Sequence, residues 1–175
     1  WKLDGLEPPL FAFIASFVLL SMLLPRGHAI SYVQNSLSRS HFLLAMLAQG
    51  LIVNAAAIAI LMRFSDKNLH HNSKKILART LPPLLTLEKL LFSCVTSGFI
   101  LLTAALITGI IFSEQTNGQL LALSHKTLFA LASWVIFGTL LIGRILYGWR
   151  GRFAANWALT GFGLLFLGYI GTRIA

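Results

Sequence analysis

The sequence predicts an all-α fold, a polytopic transmembrane helix bundle of about five spans, and three observations carry that expectation. Hydrophobic side chains make up 57% of the 175 residues and charged ones only 11%, with a mean hydropathy of +0.79, so polar surface is too scarce to coat a water-soluble domain. The apolar residues gather in five runs, none of which alternates with the period of two that a membrane barrel needs. The 14 Lys and Arg outnumber the 5 Asp and Glu, for a net charge of +9. On a soluble chain that excess would raise the question of nucleic acid; on a chain this apolar it marks basic loops facing a lipid bilayer, and no nucleic-acid partner is expected.

At ~20 residues per span plus a connection, five or six spans fill the chain. The first is expected over residues 9–24, closed by Pro25 and at the short limit for a crossing. The second, 41–62, is long enough at ~1.5 Å per residue to cross a ~30 Å hydrocarbon core. The third covers 90–112, the fourth 127–143 and the fifth 154–172. Together they form a single transmembrane domain over 1–175. The chain opens on Trp1 without a basic region, an apolar stretch and a small-residue cleavage site, so it reads as a fragment or processed chain and not as a signal-peptide precursor.

Basic loops stay cytoplasmic, which sets the orientation. Ten of the 14 Lys and Arg fall on one side: Lys2, six between Arg63 and Lys89, and Arg144, Arg150 and Arg152. Arg26, Arg39, Lys126 and Arg173 fall on the other. The amino end and the basic connection 63–89 are therefore expected in the cytoplasm, with His41 and His125 at the outer ends of the second and fourth spans. Within the connection, Leu69 to Ser73 is polar and aperiodic. Pro82 and Pro83 then forbid helix before them and suit a helix start after them, so the third helix is expected to begin near Leu84.

Signatures of soluble catalysis are missing. Asp4, Glu7, Asp66, Glu88 and Glu114 are scattered, and there is no Gly-rich phosphate loop, His-Glu-x-x-His pattern or Gly-x-Ser-x-Gly elbow. The single cysteine, Cys94, excludes an intrachain disulfide and reads as a small buried hydrophobe. The chain is expected not to be an enzyme. His41 and His125 stand out, each placed in the first turn of its helix on the same side of the membrane. Imidazole there is a competent axial ligand for haem iron, and two can hold a porphyrin without covalent attachment. Arg39 and Lys126 stand beside them, where cations meet propionates. The plainer alternative has both histidines bonding water in the headgroup zone. His70 and His71 read as solvated.

Within the spans, Gln49 and Asn54 are polar groups that lipid leaves unsatisfied, so they are expected to face other helices. Gly161, Gly168 and Gly171 recur at helical spacing and imply close packing. The run Tyr147-Gly148-Trp149-Arg150-Gly151-Arg152 reads as a hairpin anchored at the headgroups.

That run, followed by Trp157, Gly161-Phe162 and Tyr169-Ile170-Gly171-Thr172-Arg173, resembles the end of the cytochrome c assembly superfamily of the CcmC, CcsA and HemX type. Pro82-Pro83-Leu84 with Glu88 and Phe92, Gly98-Phe99 with Leu101-Leu102-Thr103, and His125-Lys126-Thr127 with Trp134 resemble its small inner-membrane branch, the YpjD type. The resemblance runs from about Ser40 to the carboxyl end. It implies a multi-pass protein of the bacterial inner membrane, the carboxyl-terminal helices of a bundle whose amino-terminal helices precede them, and the binding or handling of non-covalent haem b near the outer face.

His41 sits where an outward histidine of the family falls, whereas His125 lies where better known members carry an acidic motif. The stretch 113–124 holds no tryptophan, so the resemblance carries haem binding further than presentation of haem to an apocytochrome. The alternative is a haem-free structural or regulatory membrane subunit. A small-solute transporter fits less well, since no span carries a clear central charge or a broken helix.

Overall fold

The computed structural model describes residues 36–70, 84–117 and 125–174. The first expected span, residues 9–24, and the proline pair at 82–83 lie outside them. Every element among the described residues is a helix, in the order α1 (Ser36–His70), α2 (Leu84–Asn117), α3 (His125–Tyr147) and α4 (Gly151–Ile174). Three segments are long and apolar enough to cross a membrane: Arg39–Ser65, Leu84–Ile111 and Thr127–Tyr147. They coincide with the second, third and fourth expected spans. A helix, α4, also forms where the fifth was expected, although it is not one of those three segments.

Helix positions buried on α1 follow a four-three repeat: Ala48, Ile52, Ala55, Ala59 and Met62. The facing row on α2 is Leu87, Leu91, Val95, Gly98, Leu102 and Ala105. Such a seam lets two helices mesh along their length, and α1 packs most extensively against α2. Its small residues set the distance. A Cβ on Gly98 would stand 3.1 Å from Ile52 Cγ1 and 3.7 Å from the Ala48 carbonyl oxygen, so the glycine lets the two helices approach closely.

The second seam joins α3 to α4. Ser133 Oγ donates to the Gly161 carbonyl at 2.7 Å, and a Cβ on Gly161 would stand 2.7 Å from the ring of Phe137. The expectation that Gly161 meets another helix is met, and Gly168 is buried as well. Trp134 ties α3 to α2, donating from Nε1 to Thr103 Oγ1 at 2.8 Å while its ring stacks on Phe99 with centroids 5.5 Å apart. Successive helices run antiparallel, and α4 closes the group by packing on α1. Large apolar side chains such as Leu43, Met46, Ile100, Ile107 and Val135 point outward, as a lipid-facing surface requires.

Three readings of the sequence are amended. Helix α1 begins five residues ahead of His41, which puts that histidine in the second turn. Hydropathy locates a span, whereas the polar lead Ser36–Ser40 continues the helix beyond it. At the other end α1 persists to His70. Its 35 residues reach roughly 50 Å, so helix occupies part of what read as an aperiodic connection. Asn54 does not reach across to a neighbour; its Nδ2 donates to the Gly50 carbonyl at 3.0 Å, one turn back on its own helix. The start of α2 at Leu84 is as expected.

Candidate functional site

His41 lies on the α1 seam, seven residues before Ala48, and so faces α2 near that helix's carboxyl end. Its Nδ1 stands 2.9 Å from the Ala105 carbonyl oxygen. A carbonyl only accepts, so Nδ1 carries the proton, and in the neutral ring Nε2 then carries the lone pair. Thr108 Oγ1 lies 3.2 Å from the same nitrogen. The Thr108 hydroxyl gives its own proton to the Ala104 and Ala105 carbonyls, at 2.9 and 3.0 Å, which turns its oxygen lone pair toward the imidazole N–H.

The ring is also held sterically. A Cβ at Gly109 would be 3.0 Å from His41 Cε1 and 3.4 Å from Nδ1, so the absence of a side chain there lets the imidazole close on the α2 backbone. An imidazole with one N–H fixed to a carbonyl and the opposite nitrogen bearing its lone pair is the usual form of a histidine that ligates a metal. Among the described residues no three His, Cys, Asp or Glu come together to hold a bare metal ion. One imidazole held in this way can serve as an axial ligand to a metal already chelated by another group.

Arg39 is exposed two residues before His41 on the same helix. His125 opens α3 and Lys126 follows it; the side chains of both lie outside the described residues. The antiparallel order puts the start of α1, the end of α2 and the start of α3 at one end of the bundle, so the two expected histidines share an end. They stand on helices whose backbones are not adjacent among the described residues, α1 and α3 lying diagonally with α2 and α4 between them. Gln49 is half-buried. His71 lies outside the described residues, as does the side chain of His70.

Ala105, Thr108 and Gly109 were not singled out from the sequence. The signal for them is the phase of the two seams: carrying the α1 repeat back to His41 and the α2 repeat forward from Leu102 and Ala105 leads to Gly109.

The family described as Cytochrome C assembly protein matches residues 9–175. Among relatives, an uncharacterised 28.8 kDa protein of Azospirillum brasilense is 28% identical over 99% of this chain and 64% of its own length. The inner membrane protein YpjD of Escherichia coli K12 is 26% identical over 97% of this chain and 63% of its own. The cytochrome c biogenesis protein CcsA of Prochlorococcus marinus is 33% identical over 50% of this chain and 28% of its own. The chain thus spans just under two thirds of the length of the first two. No solved structure matches it.

Proposed function

The chain belongs to the cytochrome C assembly protein family, and from that membership we propose that it binds or hands on non-covalent haem b in the bacterial inner membrane. In this reading it acts as a binding component of cytochrome c biogenesis and not as a catalyst. The observation that carries the proposal is the His41 imidazole, whose Nδ1–H is committed to the Ala105 carbonyl and whose Nε2 is left to ligate iron. His125, at the same end of the bundle, is offered as the second ligand. Arg39 and Lys126 are offered as partners for propionates. The haem would supply an iron centre able to take or release an electron; the protein's part is to hold and orient it. The names of the relatives, an inner membrane protein and a cytochrome c biogenesis protein, support the setting.

The test is the absorbance of the full-length protein in detergent, oxidised and then reduced. A Soret and a reduced α-band are expected in the wild type, with loss or strong change in His41→Ala, a similar change in His125→Ala and none in His70→Ala. Unchanged bands in His41→Ala would exclude that ligand.

A second reading draws on the same contact. An imidazole bonded to Ala105 and closed on Gly109 also works as a pin between two helices in a haem-free structural or regulatory subunit. A wild-type protein that stays colourless when haem is supplied would favour it.

A further inference from the structure

At the end of the bundle opposite His41, a second group of polar side chains meets on one face of α2. Arg144 occupies the α3 seam seven residues after Phe137. Its guanidinium carbon lies 3.6 Å from the centroid of the Phe92 ring, and its Nη1 is buried with no hydrogen-bond partner among the described residues. One turn before Phe92 stands Glu88, whose side chain is only 12% exposed and whose Oε1 is 3.4 Å from Arg150 Nε. Arg150 itself is 71% exposed, and it sits in the short connection Gly148–Arg150 between α3 and α4.

We infer that this face binds a phosphate group, gripped by Arg144 and Arg150 beside Glu88 and Phe92. The proposal stands apart from the haem reading and uses none of its residues. Phe92 stacks the Arg144 guanidinium plane but offers its N–H groups no lone pair, so the fork is oriented while a donor is unspent. Glu88 pairs with Arg150, and at 3.4 Å with so exposed a partner the pair is weak. Two guanidinium groups against one carboxylate leave a positive charge.

A phosphate oxyanion suits this arrangement better than a carboxylate, because its several acceptor oxygens can take a fork from each arginine. The site lies at the end of the Thr127–Tyr147 span. Beside it Trp149 stacks on Tyr147 and meets Phe153 edge-on, an aromatic belt of the kind that settles at headgroup depth. A phospholipid headgroup and a soluble phosphate share the chemistry; the depth favours the headgroup.

Native mass spectrometry of the full-length protein, delipidated and then exposed to equal phosphatidylglycerol and phosphatidylcholine, tests the site. The wild type should retain the anionic lipid preferentially. Arg144→Gln should lower its retention about tenfold, as loss of a charge-assisted hydrogen bond does. Glu88→Gln, which removes the competing carboxylate, should raise retention, a gain that misfolding cannot mimic.

Arg150→Gln, a change at an exposed position, should lower it with the fold intact. If pyrophosphate in neutral lipid displaces nothing but stabilises the wild type and not Arg144→Gln against heat, the site stands with a soluble phosphate as its source. Equal retention of both lipids by the wild type, with no effect of pyrophosphate, overturns the proposal. So does unchanged retention in folded Arg144→Gln.

Discussion

His41 on α1 closes on Gly109 of α2 so nearly that a methyl group at Gly109 would stand 3.0 Å from the imidazole Cε1. The contact joins the chemistry of one helix to the backbone of another, since the same imidazole bonds Ala105 one turn earlier. Gly109→Ala should therefore leave the bundle folded but turn the ring off its preferred angle, at ~0.5–1.5 kcal/mol. Haem retention by the full-length protein should fall roughly two- to tenfold, with a displaced reduced α-band. Gly50→Ala on α1, where an added Cβ meets nothing within 4 Å, is the control and should change neither.

Thr108 separates the steric from the polar part of the same site. Thr108→Val keeps the volume but deletes the Oγ1 that lies 3.2 Å from His41 Nδ1. The Ala105 carbonyl still accepts the proton, so the effect should sit at the low end of the ~0.5–1.5 kcal/mol typical of one hydrogen bond. Haem affinity, titrated in detergent, should weaken about two- to threefold. Complete loss would mean that Thr108 and not Ala105 sets the tautomer.

How much of this was legible beforehand follows from what each feature depends on. The second, third and fourth spans follow from local hydropathy, and the start of α2 at Leu84 follows from the preceding proline pair in the sequence, so both could be read from the chain alone. The turn after α3 was legible too. Gly148 and Gly151 adopt φ of 65° and 59°, a region that glycine enters without strain, and the Gly148 N–H closes on the Arg144 carbonyl at 3.1 Å as a left-handed helix cap.

Partners across a seam were not legible, because a residue's own sequence neighbourhood carries only its phase. His41 declares that it faces a neighbour; that the neighbour presents Gly109 depends on α2's register. Asn54 shows the opposite failure. Lipid does demand a partner for its amide, but the Gly50 carbonyl one turn back accepts from Nδ2, a bond made without another helix.

The α2–α3 interface makes a prediction that involves no haem. Trp134 donates to Thr103 Oγ1 at 2.8 Å, and Thr103 donates onward to the Phe99 carbonyl at 2.8 Å, so one hydroxyl both receives and gives a proton. Trp134→Phe and Thr103→Val should each lower thermal stability in detergent, by about 1 kcal/mol for the one bond lost in the first and by more in the second, which loses both bonds of the hydroxyl. The double variant should be less destabilised than the two singles added, by ~0.5 kcal/mol or more. Strict additivity would show that the indole is held by its stacking on Phe99 alone.

The α3–α4 seam gives the sharpest steric test. A Cβ at Gly161 would lie 2.7, 2.9 and 3.0 Å from three atoms of the Phe137 ring, and neither partner has room to retreat. Phe137 is 1% exposed, and the Ser133 hydroxyl ties the Gly161 carbonyl to α3, which resists any widening between the helices. Gly161→Ala should then cost ~1–3 kcal/mol as overpacking, against the gain of up to ~1 kcal/mol that alanine normally brings to a helix interior. Gly163→Ala on the same helix, where an added Cβ meets nothing within 4 Å, should show that gain and be neutral or stabilising. Phe137→Leu removes the ring and should itself destabilise by leaving a cavity. Combined with Gly161→Ala, however, it should restore part of the loss, because the new methyl group occupies space the ring has vacated. Thermal unfolding of the four proteins in one detergent measures the coupling, and a double variant as unstable as the sum of its singles would mean that Gly161 and Phe137 do not share the contact.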